Sequence, residues 1–139
     1  MDPGDQNILQ AARQTGLLDN VITSHPQGLQ QEIFEGGTGL SGGQRQLVNL
    51  TRAFLRKPTI WLLDEPTASM DSNLETQVIS AFSTTLDQQQ TFVLVTHKPE
   101  LLKLVDRIIV IANHQVVMDG EKKQVLEKLM APKSVEQSV

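Results

Sequence analysis

Four consecutive apolar residues, Ile60-Trp61-Leu62-Leu63, run directly into Asp64-Glu65-Pro66. A strand without apolar and polar alternation is the pattern of a strand covered on both faces. Such strands belong to parallel sheets closed by helical crossovers. A second run of the same kind, Phe92-Val93-Leu94-Val95, ends at Thr96-His97. Between them Leu74, Val78, Phe82 and Leu86 recur every fourth residue, which predicts a helix over 73–86. Strand, helix, strand with this patterning predicts an α/β fold with a mostly parallel sheet.

The chain before residue 58 has a different character. Asp2 reads as an N-cap with Pro3 in the first turn, Ile8, Leu9 and Ala12 recur at helical spacing, and Gly16 is a stop. A short helix through Leu18, Val21 and Ile22 is expected to end before Pro26, and 27–39 to be irregular. A third helix is predicted over 42–56, with Leu47, Leu50 and Phe54 on one face and Pro58 closing it. After the second strand come a short helix near Leu101, strands over 107–112 and 115–119 around Asn113-His114, and a helix over 124–130. The expected organisation is a helical part over 1–57, an α/β part over 58–130 and a frayed tail over 131–139.

Composition excludes several classes. The net charge of −4 and the scattered Lys and Arg lack the basic clustering that nucleic acid or an anionic membrane surface requires. The absence of cysteine excludes disulfides and thiolate metal sites. No apolar run approaches the ~18 residues of a membrane span, and MDPGDQN does not read as a signal peptide.

Four short segments carry chemistry. In Leu40-Ser41-Gly42-Gly43-Gln44 two glycines open a helix, where they let a phosphate approach backbone N–H groups and the positive end of the helix dipole. The alternative is a capping box, with Ser41 as N-cap and Gln44 three residues later. That accounts for Ser41 and Gln44 but not for paired glycines, which weaken a helix. If the segment were only a cap, Gly43→Asp would be expected to cost little stability. Asp64 and Glu65 stand at the carboxyl end of a strand, where open α/β sheets bind ligands. Adjacent strand residues face opposite ways, so one carboxylate is free to orient Mg²⁺ and the other to take a proton from water. The bland alternative is an acidic turn. Ala68-Ser69-Met70-Asp71 precedes a helix start with Ser72 as cap and Glu75 three residues on. His97 leaves the same sheet edge as Asp64 and Glu65; a lone histidine at a strand end is more often structural. His25 and His114 read as surface residues.

The ordered set LSGGQRQ, WLLDEPT, ASMD and TH resembles the ATP-binding cassette (ABC) family: signature, Walker B, D-loop and H-loop, from about Asp5 to Met130. Ile33-Phe34-Glu35-Gly36-Gly37 resembles the segment with which exporters of this family contact the coupling helices of their membrane domain. The flanks, including Ser24-His25-Pro26-Gln27-Gly28, look most like type I secretion exporters of Gram-negative bacteria. The resemblance implies a P-loop NTPase-like sheet preceded by a helical subdomain, and a location on the cytoplasmic side of the inner membrane. It also implies that two ATPase domains pair head to tail with ATP and Mg²⁺ at their interface. Ser41, Gly42, Gly43 and Gln44 would then face the γ-phosphate of ATP held by the partner, with Asp64 holding Mg²⁺ and Glu65 polarising the attacking water. His97 would bridge the γ-phosphate and the partner's D-loop, where Asp71 lies.

The departures are as informative. No GxxxxGKS/T occurs in the chain, and the family's adenine-stacking aromatic and glutamine loop are not in it. Phe34 replaces a residue that is small in the exporter pattern, and Asn113-His114 replaces the more favourable Asn-Gly turn. Met1 reads as a start placed inside a longer domain, and the chain alone is expected not to hydrolyse ATP. Two other readings stay open: an ABC ATPase uncoupled from transport, as in repair or translation, and a non-hydrolysing protein that offers its signature face to a partner.

Overall fold

The computed structural model describes residues 3–131. The chain divides into two compact units, with the division between His97 and Lys98. The expected cap at Asp2 lies outside the described residues, as does the expected frayed tail from residue 132 onward.

The first unit opens with α1 (Asp5–Thr15), whose N-cap is Gly4 and whose end is the left-handed Gly16 at φ 85°. A single π-helical turn, Leu18–Ile22, occupies the place of the expected second helix. The irregular stretch after it contains two one-turn 3₁₀ segments, Gly28–Gln30 and Glu35–Gly37. Then follow α2 (Gly42–Arg56), β1 (Ile60–Asp64), α3 (Ser72–Thr85) and β2 (Thr91–Val95). β1 and β2 pair in parallel, from Ile60 opposite Thr91 to Asp64 opposite Val95, with α3 as the crossover. Helix α2 and strand β1, on either side of position 57, lie in this one unit.

The core is aromatic. The ring of Phe82 lies 4.9 Å from Phe54, 5.4 Å from Trp61 and 5.3 Å from Phe92, and Phe54 lies 5.2 Å from Trp61. Edge and tilted geometries of this kind add to the simple burial of apolar area. α1 and α2 are tied by a buried hydrogen bond between the Thr15 and Thr51 hydroxyls, 2.6 Å long. With one proton each, one hydroxyl donates to the other, which donates in turn to a carbonyl of its own helix, Ala11 for Thr15 or Leu47 for Thr51, so neither side chain is buried unsatisfied.

Two local expectations are corrected. The strands are not covered on both faces: Trp61 is 3% exposed, whereas Ile60 is 59%, Leu62 75% and Val95 56% exposed. The uninterrupted apolar pattern asks for two covered faces, and the described residues cover one. The cap of α3 is Asp71, whose Oδ1 accepts from the Leu74 amide at 2.9 Å, rather than Ser72. Glu75 is released from any capping role and instead accepts from the Thr67 hydroxyl at 2.6 Å in a buried pair.

The second unit has a 3₁₀ segment, Pro99–Leu104, the antiparallel pair β3 (Arg107–Ala112) and β4 (Gln115–Glu121), and α4 (Lys122–Met130). Asn113 and His114 both take positive φ, 49° and 62°. That is the signature of the two-residue hairpin turn whose twist matches the strands, here made without glycine. A bulge interrupts the ladder between Val110 and Ile111. Arg107 grips Asp119 with two bonds of 2.8 and 2.7 Å across the pair.

Candidate functional site

The start of α2 is built as a complete capping box. The Ser41 hydroxyl accepts from the Gln44 amide at 3.1 Å, and the Gln44 side chain accepts from the Ser41 amide at 2.9 Å. The other end of the Gln44 side chain donates to the Asn20 carbonyl at 3.1 Å. The glycines have a reason of their own. A Cβ at Gly43 would stand 2.7 Å from the Ser69 carbonyl oxygen, and one at Gly42 would stand 3.2 Å from the Ser69 Cβ. The first turn of α2 therefore lies directly on the backbone of the loop that joins β1 to α3. This overturns the expectation that Gly43→Asp costs little if the segment is only a cap: any side chain there displaces the Ser69–Met70 backbone.

That loop begins at the carboxylates. β1 ends at Asp64, which is exposed. Glu65 follows with φ 43°, a left-handed conformation that costs a residue other than glycine on the order of 1–3 kcal/mol. The two carboxylates are thus separated by a turn rather than by strand alternation. Glu65 is held at every polar atom the backbone offers. Its amide donates to the Val95 carbonyl at 2.9 Å, and its carbonyl accepts from Ala68 at 3.1 Å and from the Gln46 side chain at 3.4 Å. Its carboxylate accepts from the His97 amide at 2.9 Å and the Thr96 hydroxyl at 3.3 Å. The His97 ring lies 3.9 Å from the same carboxylate and its side chain is 97% exposed.

The structure therefore brings Glu65, Thr96 and His97 together at the carboxyl ends of β1 and β2, with Asp64 exposed beside them. Ser41 and Gln44 bond to each other, and the Gln44 side chain donates to the Asn20 carbonyl. Gly42 and Gly43 reach the same region through Ser69. The Asp71 carboxylate is engaged as the α3 cap. Sequence reading quoted Gln46, Thr67 and Thr96 within its motifs but gave none of them a role of its own. Gln46 lies three residues after Gly43, one helical turn along the same face, a spacing that could have given it a role. The segment Glu35–Gly37 is a turn with Gly36 and Gly37 at φ 77° and 74°, and Ile33 and Phe34 before it are 50% and 64% exposed. A side chain at Gly37 would run into the stem of Arg45.

Known proteins resemble this chain in sequence and in fold. The family described as ABC transporter matches residues 5–68. An ABC-type transporter of Curvularia clavata, kk1G, is 38% identical over 125 residues, which is 89% of this chain and 9% of that protein. The ATP-dependent lipid A-core flippase of Neisseria meningitidis is 37% identical over 127 residues, 91% of this chain and 20% of the flippase. Among solved structures, a bacterial Atm1-family ABC exporter with ATP bound superposes with a TM-score of 0.78 at 26% identity, covering 91% of this chain and 22% of that one. The chain thus spans between about a tenth and a fifth of the relatives it matches. It belongs to the ABC transporter family, as part of that family's ATPase domain.

Proposed function

We propose that this chain supplies one side of a composite ATP site in an exporter's nucleotide-binding domain, with Glu65 as the group that takes the proton from the attacking water. The observation that carries this is the holding of Glu65. Its backbone is kept left-handed and its carboxylate is fixed by the His97 amide and the Thr96 hydroxyl at the sheet's carboxyl edge. A base must be positioned before its basicity is of use, and phosphoryl transfer depends chiefly on positioning and charge stabilisation.

The residues suit Mg²⁺ with ATP. The described residues contain no cluster of three or more His, Cys, Asp or Glu that would cage a metal, and Asp64 is a single exposed carboxylate. Mg²⁺ is commonly held in that way, by one or two carboxylates together with phosphate oxygens and water. Bound there, the ion would neutralise charge on the phosphates. Ser41, Gly42, Gly43 and Gln44 would face the γ-phosphate of ATP on a second ATPase domain, where the helix N-terminus favours an anion. His97, beside Glu65, would bridge the γ-phosphate at the site of Asp64 and Glu65 to the second domain's D-loop, and Asp71 would hold this chain's own D-loop by capping α3. The exposed Ile33, Phe34 and Glu35–Gly37 turn would meet the exporter's transmembrane domain. No described helix is long and apolar enough to cross a membrane. By its likeness to ABC exporters, the domain would work at the cytoplasmic face of the inner membrane, with polypeptide export of the type I kind as the assignment that its flanking segments support.

In a full-length transporter carrying this domain, Glu65→Gln is expected to keep ATP binding and cut turnover by roughly 10²–10⁴. Wild-type turnover in that variant would remove Glu65 from the role. For the 139-residue chain alone, calorimetric titration with Mg-ATP should show weak binding, because its sequence has no GxxxxGKS/T to cradle the β- and γ-phosphates. Micromolar affinity would contradict that reading.

A further inference from the structure

We infer that Gln46 is a positioning residue that ties the first turns of α2 to the backbone of Glu65 in the same chain. Its side-chain oxygen accepts from the Ser69 amide at 3.0 Å, and its side-chain nitrogen donates to the Glu65 carbonyl at 3.4 Å. The two partners define the orientation of the amide, since Ser69 offers only a donor and Glu65 only an acceptor there. A carboxylate, a hydroxyl or an apolar side chain does not make both bonds at this reach.

Two residues of α2 grip one loop. Gly43 receives the Ser69 carbonyl and Gln46 receives the Ser69 amide, so both polar atoms of that peptide residue face α2. The same Gln46 side chain reaches back to the carbonyl of Glu65, four residues earlier, where Ala68 also donates. Glu65 sits in a conformation that its own side chain disfavours, so the bonds around it determine where its carboxylate points. A shift of α2 along its axis would pull on Ser69 and on the Glu65 carbonyl together. The helix proposed to sense the partner's phosphate is thereby geared to the base of its own chain. This inference rests on the reading of Glu65 as the base, and its structural half does not.

Two variants separate these halves. Gln46→Met keeps length and apolar bulk and loses both bonds, whereas Gln46→Glu keeps the acceptor for Ser69 and loses the donor to Glu65. In the isotope-labelled chain, amide exchange at Ser69 should quicken at least about tenfold in the Met variant and stay near wild type in the Glu variant, with amides in the middle of α2 unchanged. In a full-length transporter carrying the domain, both variants should lower kcat, by about 10–10² for Met, with KM for Mg-ATP within about twofold. Unchanged Ser69 exchange in the Met variant would overturn the clamp. Quickened exchange with wild-type kcat would overturn its positioning role, provided Glu65→Gln in the same assay abolishes turnover. If Glu65→Gln turns over normally, the base assignment fails while the exchange result still decides the clamp.

Discussion

The two compact units hold themselves together by different means. The first buries Phe54, Trp61, Val78 and Phe82 around ring contacts and lays α2 on the Ser69 backbone with no room for a Cβ. In the second, Leu101 and Val125 are the buried hydrophobic residues among those described. The paired strands there rely on their ladder, a two-residue turn and an exposed ion pair. All the candidate site residues lie in the first unit. A site that depends on a strained Glu65 needs surroundings that over-determine its backbone, and close packing supplies this where a hairpin ladder does not.

The sharpest way to break this comparison is Phe82→Ala. Phe82 is fully buried and touches three other rings, so its truncation should destabilise the first unit by about 3–5 kcal/mol. Denaturant unfolding followed by Trp61 fluorescence reads this, and a loss under about 1 kcal/mol would mean that the aromatic cluster is not what holds the unit. Gly43→Ala comes next. Its methyl must displace the Ser69 carbonyl, for an expected cost of about 1–3 kcal/mol. If the melt of Gly43→Ala matches wild type or rises, as an alanine in an open first turn would allow, the contact between α2 and the loop is absent in solution.

A smaller effect is expected on the open sheet face. Leu62→Thr with Val93→Thr should change stability by no more than about 0.5 kcal/mol, since both side chains are largely exposed. The pair should nonetheless reduce dye binding and self-association, because contiguous exposed apolar side chains beside unpaired strand edges invite both. Unaltered dye binding would show that this face is not the adhesive one.

The smallest effect concerns the second unit. The hydrogen bonds from Arg107 hold the Asp119 carboxyl below its ordinary range, with the charge of Arg107 adding to them. A carboxylate with a lowered folded pKa stabilises above its unfolded pKa, and that contribution is lost as pH falls through the folded value. Asp119→Asn should therefore be slightly less stable than wild type near neutral pH and indistinguishable in acid, with the gap narrowing in high salt because the pair is exposed. A gap that persisted in strong acid would assign the effect to the shape of the side chain rather than its charge.

Much of this was legible in the sequence because it is local. Gly16 closes α1, Leu47, Leu50 and Phe54 mark the buried stripe of α2, and the carboxylates follow an apolar strand. Each depends on residues within a few positions of one another. Ser41 and Gln44 form the capping box that their spacing predicts. Other features were not legible, for the same reason. Asp71 and Ser72 are both competent caps, and the choice between them depends on where the loop from β1 delivers the chain. The contact between Thr15 and Thr51 joins two helices across 36 positions, and no pattern in either segment announces it.

By itself the sequence determined the type of the longer helices and of the strands, the aromatic and aliphatic stripes that make the core, and the ordered motifs that mark an ABC ATPase domain. Periodicity, capping and motif order act over short stretches of chain. Only the tertiary structure decided that Gly43 and Gln46 meet Ser69, that Glu65 turns left-handed with its carboxylate on Thr96 and His97, and that one face of β1 and β2 stays open. Those outcomes depend on which backbone atoms approach from distant segments. Close packing and hydrogen-bond satisfaction settle that approach after the local elements have formed.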